Sequence, residues 1–144
     1  MTKRPFTINH VAFAVPSIAK FVESQGVLYR DFERGEIIEN ESQRVNEMFL
    51  SDGKTRIELL EPKGADSPID GFLRRNRNGG LVHLALDVDD LEAALEDVRA
   101  SGGRVVVDPT PDPAFTGRIA FVYIGGILTE LIERPSGTAS TTAR

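Results

Sequence analysis

The sequence predicts an α+β fold built from two tandem β-α-β-β-β modules. Three observations lead to this prediction. The chain has two histidines, His10 and His83, and each opens a strand-like segment in its own half. A segment with helical periodicity follows each of these strands. Each half then ends in a strand-like run with a glutamate among apolar residues: Glu58 lies 48 residues after His10, and Glu130 lies 47 residues after His83.

Composition describes a globular protein and excludes several functions. The 144 residues are 40% hydrophobic and 27% charged, so we expect one domain over residues 1–135, with modules over about 7–62 and 80–135. The 17 basic and 22 acidic residues give a net charge of −5, which does not favour binding to nucleic acid. No apolar run approaches the roughly 18 residues of a membrane span, and the first residues do not resemble a signal-peptide core. We expect a cytoplasmic protein without nucleic-acid or membrane partners.

The first module is predicted to begin with a strand over residues 7–15. Residue types alternate along it, so that His10 shares one face with two alanines. Ser17 then caps a helix that ends at Gly26. The predicted buried face of this helix consists of Ile18, Phe21 and Val22. Three strands are predicted to follow, near residues 33–40, 43–51 and 54–61, with a tight turn at Asp52-Gly53.

The second module repeats this order, beginning with a strand over residues 81–88. Asp89-Asp90 is predicted to begin the helix, and Glu92, three residues after Asp89, completes a capping box. Gly102-Gly103 ends the helix. Its apolar stripe, at helical spacing, consists of Leu91, Ala94, Leu95 and Val98. The remaining strands are predicted near residues 103–107, 117–124 and 126–134.

Three segments lie outside the repeat. Residues 63–80 join the modules and are predicted to hold a short helix that starts at Ser67-Pro68. Residues 108–117 are rich in Pro and Asp and are predicted to form a loop. The Ser/Thr/Ala-rich tail, residues 136–144, is predicted to be disordered. The inward-facing residues of the short helix are predicted to be Ile69, Phe72 and Leu73.

Two histidines and two glutamates at matching positions are candidates for one metal site. The histidine faces otherwise carry alanine, which leaves room for a cleft. Each residue taken alone is more often an ordinary core or surface residue, but the repeat favours a joint role. The chain has no cysteine, so the ligands would be nitrogen and oxygen. His10, Glu58, His83 and Glu130 suit Mn, Co, Ni, Zn or Fe(II) better than calcium, which prefers oxygen alone.

The chain resembles the vicinal oxygen chelate superfamily, which includes glyoxalase I, extradiol dioxygenases and bleomycin and fosfomycin resistance proteins. The paired modules carry this resemblance over about residues 7–135. Within the superfamily the chain is most similar to the methylmalonyl-CoA epimerases, on the segments 55–62, 66–69, 72–73 and 126–131. The resemblance implies a glyoxalase-like fold, in which the modules form a curved mixed sheet around a cleft.

The resemblance also implies roles for the candidate residues. His10, His83 and Glu130 fall on metal-ligand positions of the epimerases, and Glu58 falls where that family carries Gln or Glu. The implied function is metal-dependent epimerisation of the α-carbon of an acyl-CoA. The alternatives are a glyoxalase-I-like isomerase or lyase, the less favoured dioxygenase, and a small-molecule-binding protein of the antibiotic-resistance type. A homodimer is expected, and the site is either within one chain or shared across the dimer.

Glu47 is the candidate for proton transfer. If Asp52-Gly53 were the central turn residues, Glu47 would lie directly opposite Glu58 on the same sheet face. A carboxylate there is placed to act as a general base, and some epimerases of the family use a glutamate at the matching position. A nearly equal alternative is that Glu47 is exposed at a sheet edge or forms a salt bridge with Arg56 or Arg118. The second proton-transfer group is either a ligand glutamate, for which Glu130 is the candidate, or water.

Overall fold

The computed structural model describes residues 4–135. The predicted disordered tail, residues 136–144, lies outside this range. The chain divides into two compact units. One consists of residues 10–82, and the described residues of the other are 4–9 and 83–135. The prediction of a single domain stays a prediction.

The unit of residues 10–82 is built on five strands, which are β1 (Thr7–Ala14), β2 (Glu33–Arg34), β3 (Ile38–Asn40), β4 (Val45–Ser51) and β5 (Arg56–Pro62). Their order in the sheet is β2-β4-β5-β1, with β3 also pairing with β4. Strand β1 runs parallel to β5, whereas β4 is antiparallel to β5. The predicted strand over residues 33–40 is wrong as one element, because it is broken into β2 and β3. Most of its side chains face solvent, so no buried face imposes a continuous ladder.

One face of this sheet is covered by the helical segment that follows β1. The Ser17 side chain accepts a hydrogen bond from the Lys20 backbone N–H, which confirms the predicted cap. Its α- and π-helical part ends at Gly26, where the helix was predicted to end, and a Cβ atom there would overlap the Phe21 ring. It comprises helix α1 (Ile18–Lys20), a π-helical turn (Phe21–Gln25) and a 3₁₀ turn (Val27–Tyr29). Its side chains pack on a core that includes Val15, Ile18, Leu50, Ile57 and Leu59.

The other face of the same sheet carries helix α2 (Asp70–Arg75). The predicted inward residues Ile69, Phe72 and Leu73 do pack inward. Ile69 is buried, whereas the other two are partly buried. Their partners are the small or apolar residues of β1, β4 and β5 on that face, Ala12, Ala14, Val45 and Leu60.

The second unit is built on four strands, which are β6 (Gly80–Val88), β7 (Arg104–Pro111), β8 (Arg118–Ile124) and β9 (Ile127–Glu133). Their order in the sheet is β6-β9-β8-β7. Strand β6 is parallel to β9, and the other pairs are antiparallel. The prediction that residues 108–117 form a loop is wrong in part, because β7 continues to Pro111. Strand β7 lies at the end of the strand order, and an edge strand tolerates proline because one side of its backbone has no ladder to join.

Helix α3 (Leu91–Ala100) packs on this sheet through the predicted stripe, all four members of which are buried. The predicted capping residue is wrong. Asp90, not Asp89, caps the helix, and its side chain accepts a hydrogen bond from the Ala93 backbone N–H at 3.0 Å. Asp89 is instead engaged by the side chains of Arg4 and Arg134. Among the described residues, no helix is both long and apolar enough to cross a bilayer.

Candidate metal and proton-transfer site

His10 and Glu58 form a buried pair in the unit of residues 10–82. Strands β1 and β5 are parallel, and their register places Ala12 beside Glu58. His10 lies two residues before Ala12 and so shares its face. The His10 Nε2 atom is 3.1 Å from the Glu58 Oε1 atom, and the His10 side chain is fully buried. A buried imidazole and a buried carboxylate therefore meet where two parallel strands run side by side.

His83 and Glu130 form a corresponding pair in the other unit. Strands β6 and β9 are parallel, and their register places Ala85 beside Glu130. The His83 Nε2 atom is 3.3 Å from the Glu130 Oε1 atom, and both side chains are about 4% exposed. In both modules the strands are parallel, and the residue two positions after the histidine pairs with the glutamate. The internal repeat seen in the sequence is thus a repeat of local structure around each histidine.

A phenylalanine supports each histidine, and the sequence reasoning missed both. The Phe49 ring lies edge-on to His10 at a centroid distance of 5.3 Å, and the Phe121 ring lies edge-on to His83 at 5.1 Å. Each phenylalanine is also the antiparallel neighbour of its glutamate. Edge-to-face packing restricts rotation of the imidazole. A signal was available, because each phenylalanine precedes its glutamate by nine residues.

Glu47 lies on the same sheet face as Glu58, but the predicted direct opposition is wrong. The β4–β5 register pairs Glu47 with Leu60 and Phe49 with Glu58. The two glutamates are therefore diagonal neighbours. The register differs because Asp52 accepts hydrogen bonds from the backbone N–H groups of residues 54 and 55, which makes a longer turn than a two-residue hairpin.

The Glu47 carboxylate is held by Asn40, which the sequence reasoning did not identify. The Asn40 side-chain N–H₂ donates to Glu47 Oε2 at 2.7 Å, and both residues are at most 2% exposed. The Asn40 side-chain oxygen accepts from the Ser42 hydroxyl and from the Gln43 backbone N–H. The turn after β3 thus fixes the amide, and the amide fixes one carboxylate oxygen. Burial makes the predicted alternative of an exposed glutamate wrong.

The donors of each His–Glu pair fit a divalent metal ion. His10, Glu58, His83 and Glu130 are all buried, and they offer imidazole nitrogen and carboxylate oxygen. Such mixed donors suit first-row transition ions. Within each pair the two donor atoms are about as far apart as two ligands of one small ion, which bind at roughly 2.0–2.2 Å each. A cation also offsets the cost of burying a charged carboxylate.

Comparisons with known proteins decide the family. Residues 9–121 match the model of the Glyoxalase/Bleomycin resistance protein/Dioxygenase superfamily. The chain is 35% identical over 130 residues to the mitochondrial methylmalonyl-CoA epimerase of Mus musculus, with 86% of this chain and 71% of the relative covered. It is 34% identical over 131 residues to the ethylmalonyl-CoA/methylmalonyl-CoA epimerase of Cereibacter sphaeroides, covering 86% and 95%. The chain belongs to the methylmalonyl-CoA epimerase family.

Solved structures of this family agree with the fold described above. A structure of methylmalonyl-CoA epimerase in complex with methylmalonyl-CoA and NH₄⁺ is 33% identical to this chain. It superposes with a TM-score of 0.74 and covers 92% of this chain and 96% of its own. The predicted α+β, glyoxalase-like fold and the predicted resemblance to the epimerases are confirmed. The predicted enzyme class, an epimerase, is confirmed by the same relatives.

Proposed function

We propose that this member of the methylmalonyl-CoA epimerase family inverts the α-carbon of a 2-alkylmalonyl-CoA thioester. The observation that carries the proposal is the buried His–Glu pair, found once in each module of a chain that belongs to this family. The names of the relatives support the substrate class. The relatives are named as epimerases of methylmalonyl-CoA or ethylmalonyl-CoA, and one solved relative holds methylmalonyl-CoA.

The two His–Glu pairs are proposed to hold one divalent ion between them. His10, Glu58, His83 and Glu130 would be its protein ligands. When bound, the ion would act as a Lewis acid that makes the proton α to the thioester more acidic. The edge-on Phe49 and Phe121 rings would hold the imidazoles in the orientation that ligation needs, as supporting groups around a ligand commonly do. The identity of the bound metal among these candidates has to be determined by experiment.

Glu47 is proposed to move the α proton. A general base has to be deprotonated and aimed at the proton that it takes. The Asn40 N–H₂ group donates to Glu47 Oε2, which favours the ionised carboxylate and fixes its orientation. The same sheet face carries Glu58, so the base and the proposed ligand lie on one surface of one sheet. Glu130, or a water molecule, is proposed to deliver the proton to the opposite face.

Exchange of the α proton with solvent tests the proposal. The protein, stripped of metal and reloaded with Co²⁺ or Mn²⁺, is incubated with methylmalonyl-CoA in D₂O, and deuterium at the α-carbon is followed by mass spectrometry. Metal-dependent incorporation with loss of stereochemical purity is expected. No incorporation with either metal would exclude the proposed reaction. Methylglyoxal with glutathione serves as a parallel substrate, and turnover of that adduct alone would assign the chain to glyoxalase chemistry.

A further inference from the structure

A short basic segment at the end of helix α2 stands out in an acidic chain. Arg74, Arg75 and Arg77 are exposed and fall within four consecutive positions, although the net charge of the chain is −5. Within residues 4–135, none of these three side chains takes part in a hydrogen bond or an ion pair. The segment is therefore a local excess of positive charge on the surface of an acidic chain.

Two of these arginines converge on a residue that has no side chain. A Cβ atom built on Gly71 would lie 3.5 Å from Arg75 Nη1 and 3.6 Å from Arg74 Nη2. Residues three and four positions apart share a helix face, so both guanidinium groups reach back over Gly71. Basic residues near a helix C-terminus are favourable in general. The convergence of two like charges over one glycine is not explained by that effect, and it leaves a space bordered by several N–H donors.

The helix that carries this pair covers the face of the sheet on which His10 and Glu58 lie. Ile69, Phe72 and Leu73 pack on Ala12, Ala14 and Leu60. In the strand register, Ala12 is the neighbour of Glu58, and Ala14 is the neighbour of Leu60. Helix α2 therefore sits next to the metal-ligand pair along the same strands. Its end is also well fixed, because the backbone and side-chain N–H groups of Asn76 both donate to the Phe72 carbonyl.

We propose that Arg74 and Arg75 form an anion site for the phosphate groups of the coenzyme A part of the substrate. The inference rests on the proposed function for the identity of the ligand. In an acyl-CoA the phosphates lie at the far end of the pantetheine arm from the thioester. A site for them has to be displaced from the reacting carbon, and this pair lies on the outer side of the helix whose inner side packs on that face of the sheet. Paired guanidinium groups match phosphate oxygens in charge and in donor geometry.

Gly71→Asp is the sharpest test, because it fills the site without deleting an arginine. The new carboxylate would lie between the two guanidinium groups and compete with a bound anion, and aspartate suits the first turn of a helix. Gly71→Asn is the matched control, with the same shape and no charge. The double variant Arg74→Ala/Arg75→Ala removes the site, and Arg99→Ala removes an exposed arginine from another helix. Circular dichroism checks that each variant is folded.

Direct binding separates this inference from the proposed function. Calorimetry with adenosine 3′,5′-bisphosphate, which carries phosphates but no thioester, should show binding that falls at least about tenfold in Gly71→Asp and in the double variant. The Arg99→Ala protein should bind as the wild type does, and Gly71→Asn, which fills the same space without the charge, should lose less affinity than Gly71→Asp. Equal binding by wild type and Gly71→Asp would overturn the inference, and so would equally tight binding of inorganic phosphate, which would mark a general anion site.

Kinetics with two substrates gives the second readout. For methylmalonyl-CoA, the double variant should raise KM at least about tenfold with kcat nearly unchanged. For the methylmalonyl thioester of pantetheine, which lacks the nucleotide, kcat/KM should stay at the wild-type value. An equal loss with both thioesters would contradict a phosphate site. If no thioester reacts but bisphosphate binding still depends on residue 71, the proposed function fails and the anion site stands.

Discussion

At the residue scale, the glutamates buried within the strands are the side chains that cost most to bury. Glu47, Glu58 and Glu130 are each at most 3% exposed. A carboxylate at such a position either binds a proton or needs donors and cations around it. Glu58 and Glu130 each lie beside a histidine, whereas Glu47 lies beside an asparagine amide. The different partners support different roles: ligands for the first two residues and a proton acceptor for Glu47.

Replacing Glu47 by glutamine tests the proton-transfer role. Gln has the same shape and retains an oxygen that Asn40 can contact, but it cannot accept the α proton. We expect kcat to fall about 10²–10⁴-fold, the usual contribution of a general acid or base. The metal content of the purified variant should match that of the wild type. Loss of metal together with activity would instead make Glu47 a ligand.

Replacing Asn40 by leucine or aspartate tests the positioning of Glu47. Leucine removes the N–H donor, and aspartate places a second carboxylate against the first. For Asn40→Leu we expect kcat to fall about tenfold, because one hydrogen bond to a charged group is lost. KM should change little. Asn40→Asp should have the larger effect and should shift the acidic limb of the pH profile upward, since a nearby negative charge disfavours ionisation of Glu47. A pH profile identical to that of the wild type would contradict a positioning role.

The residues of the candidate site differ in how far sequence could reveal them. His10 and His83 could be found because they are the two histidines of the chain and occupy equivalent strand positions. Asn40 could not, because its role depends on the β3–β4 pairing and on a turn that fixes its amide. Phe49 and Phe121 have the same nine-residue spacing to their glutamates in the sequence, but their contact with the imidazoles is seen only in the structure. A role that depends on the type of one side chain can be predicted from the sequence, whereas a role that depends on a contact between side chains cannot.

At the element scale, helix starts depend on which residue has the extended backbone before the first turn. Asp89 and Asp90 are both acceptable capping types, so composition alone did not choose between them. In the structure Asp90 has φ −121° and ψ 99°, and its side chain caps the helix. Asp89 is drawn away by two arginines, which hold the pKa of its carboxyl below the usual range. The ion pairs of Asp89 with these arginines thus leave Asp90 as the capping residue of helix α3.

Asp90→Ala tests the cap of helix α3. The variant leaves the Ala93 N–H without its acceptor, and we expect a loss of about 1 kcal/mol in the free energy of unfolding. Asp90→Asn is the matched control, because asparagine caps helices as well as aspartate does. Urea denaturation followed by circular dichroism gives both values. Equal stability of the alanine and asparagine variants would contradict the assignment of the cap to Asp90.

The strands show where sequence patterns stop being sufficient. The order of strands and helices in each module was predictable from periodicity and turn residues. The β4–β5 register was not, because the Asp52 side chain bonds to its own turn and lengthens it. Nor was the extent of β7, because Pro109 and Pro111 read as loop residues unless the strand is known to be an edge. Register and edge position are properties of the sheet, not of one segment.

At the scale of the whole molecule, two surface ion pairs that share one arginine join three elements of the second module. Arg118 on β8 donates to both carboxylate oxygens of Glu133 on β9, at 2.7 Å and 3.1 Å, and also to Glu92 on α3 at 2.8 Å. Arg118 holds the pKa of Glu133 below its usual value of 4.5. Because this pKa is lower in the folded state, the pair stabilises the fold above about pH 4.5. That contribution is lost as the pH falls through the folded-state value.

Glu133→Gln tests this dependence on pH. At neutral pH we expect the variant to lose no more than about 1 kcal/mol, since the pair is partly exposed. The difference from wild type should shrink as the pH is lowered below about 4.5, because both proteins then carry a neutral group at position 133. Glu96→Gln, which removes an exposed carboxylate from helix α3, is the control. A difference that stays constant from pH 7 to pH 3 would contradict the assignment.

The duplication of the module is the whole-molecule feature on which the proposed chemistry depends. In the proposed site each module would supply one imidazole and one carboxylate, so neither module alone would offer all four ligands. The homodimer and the cytoplasmic location stay predictions, and sedimentation velocity on the purified chain tests the first of them. One ion per chain is expected whether a site is completed within one chain or between two.

Titration of the metal-free protein with Co²⁺, followed by visible absorbance, tests the central claim most directly. The account predicts saturation at one ion per chain in the wild type. Affinity should fall at least about 100-fold in both His10→Ala and His83→Ala, since even a group that only supports a ligand costs roughly 10–100-fold. Saturation at two ions per chain, or unchanged binding in either histidine variant, would contradict a single ion shared by the two modules.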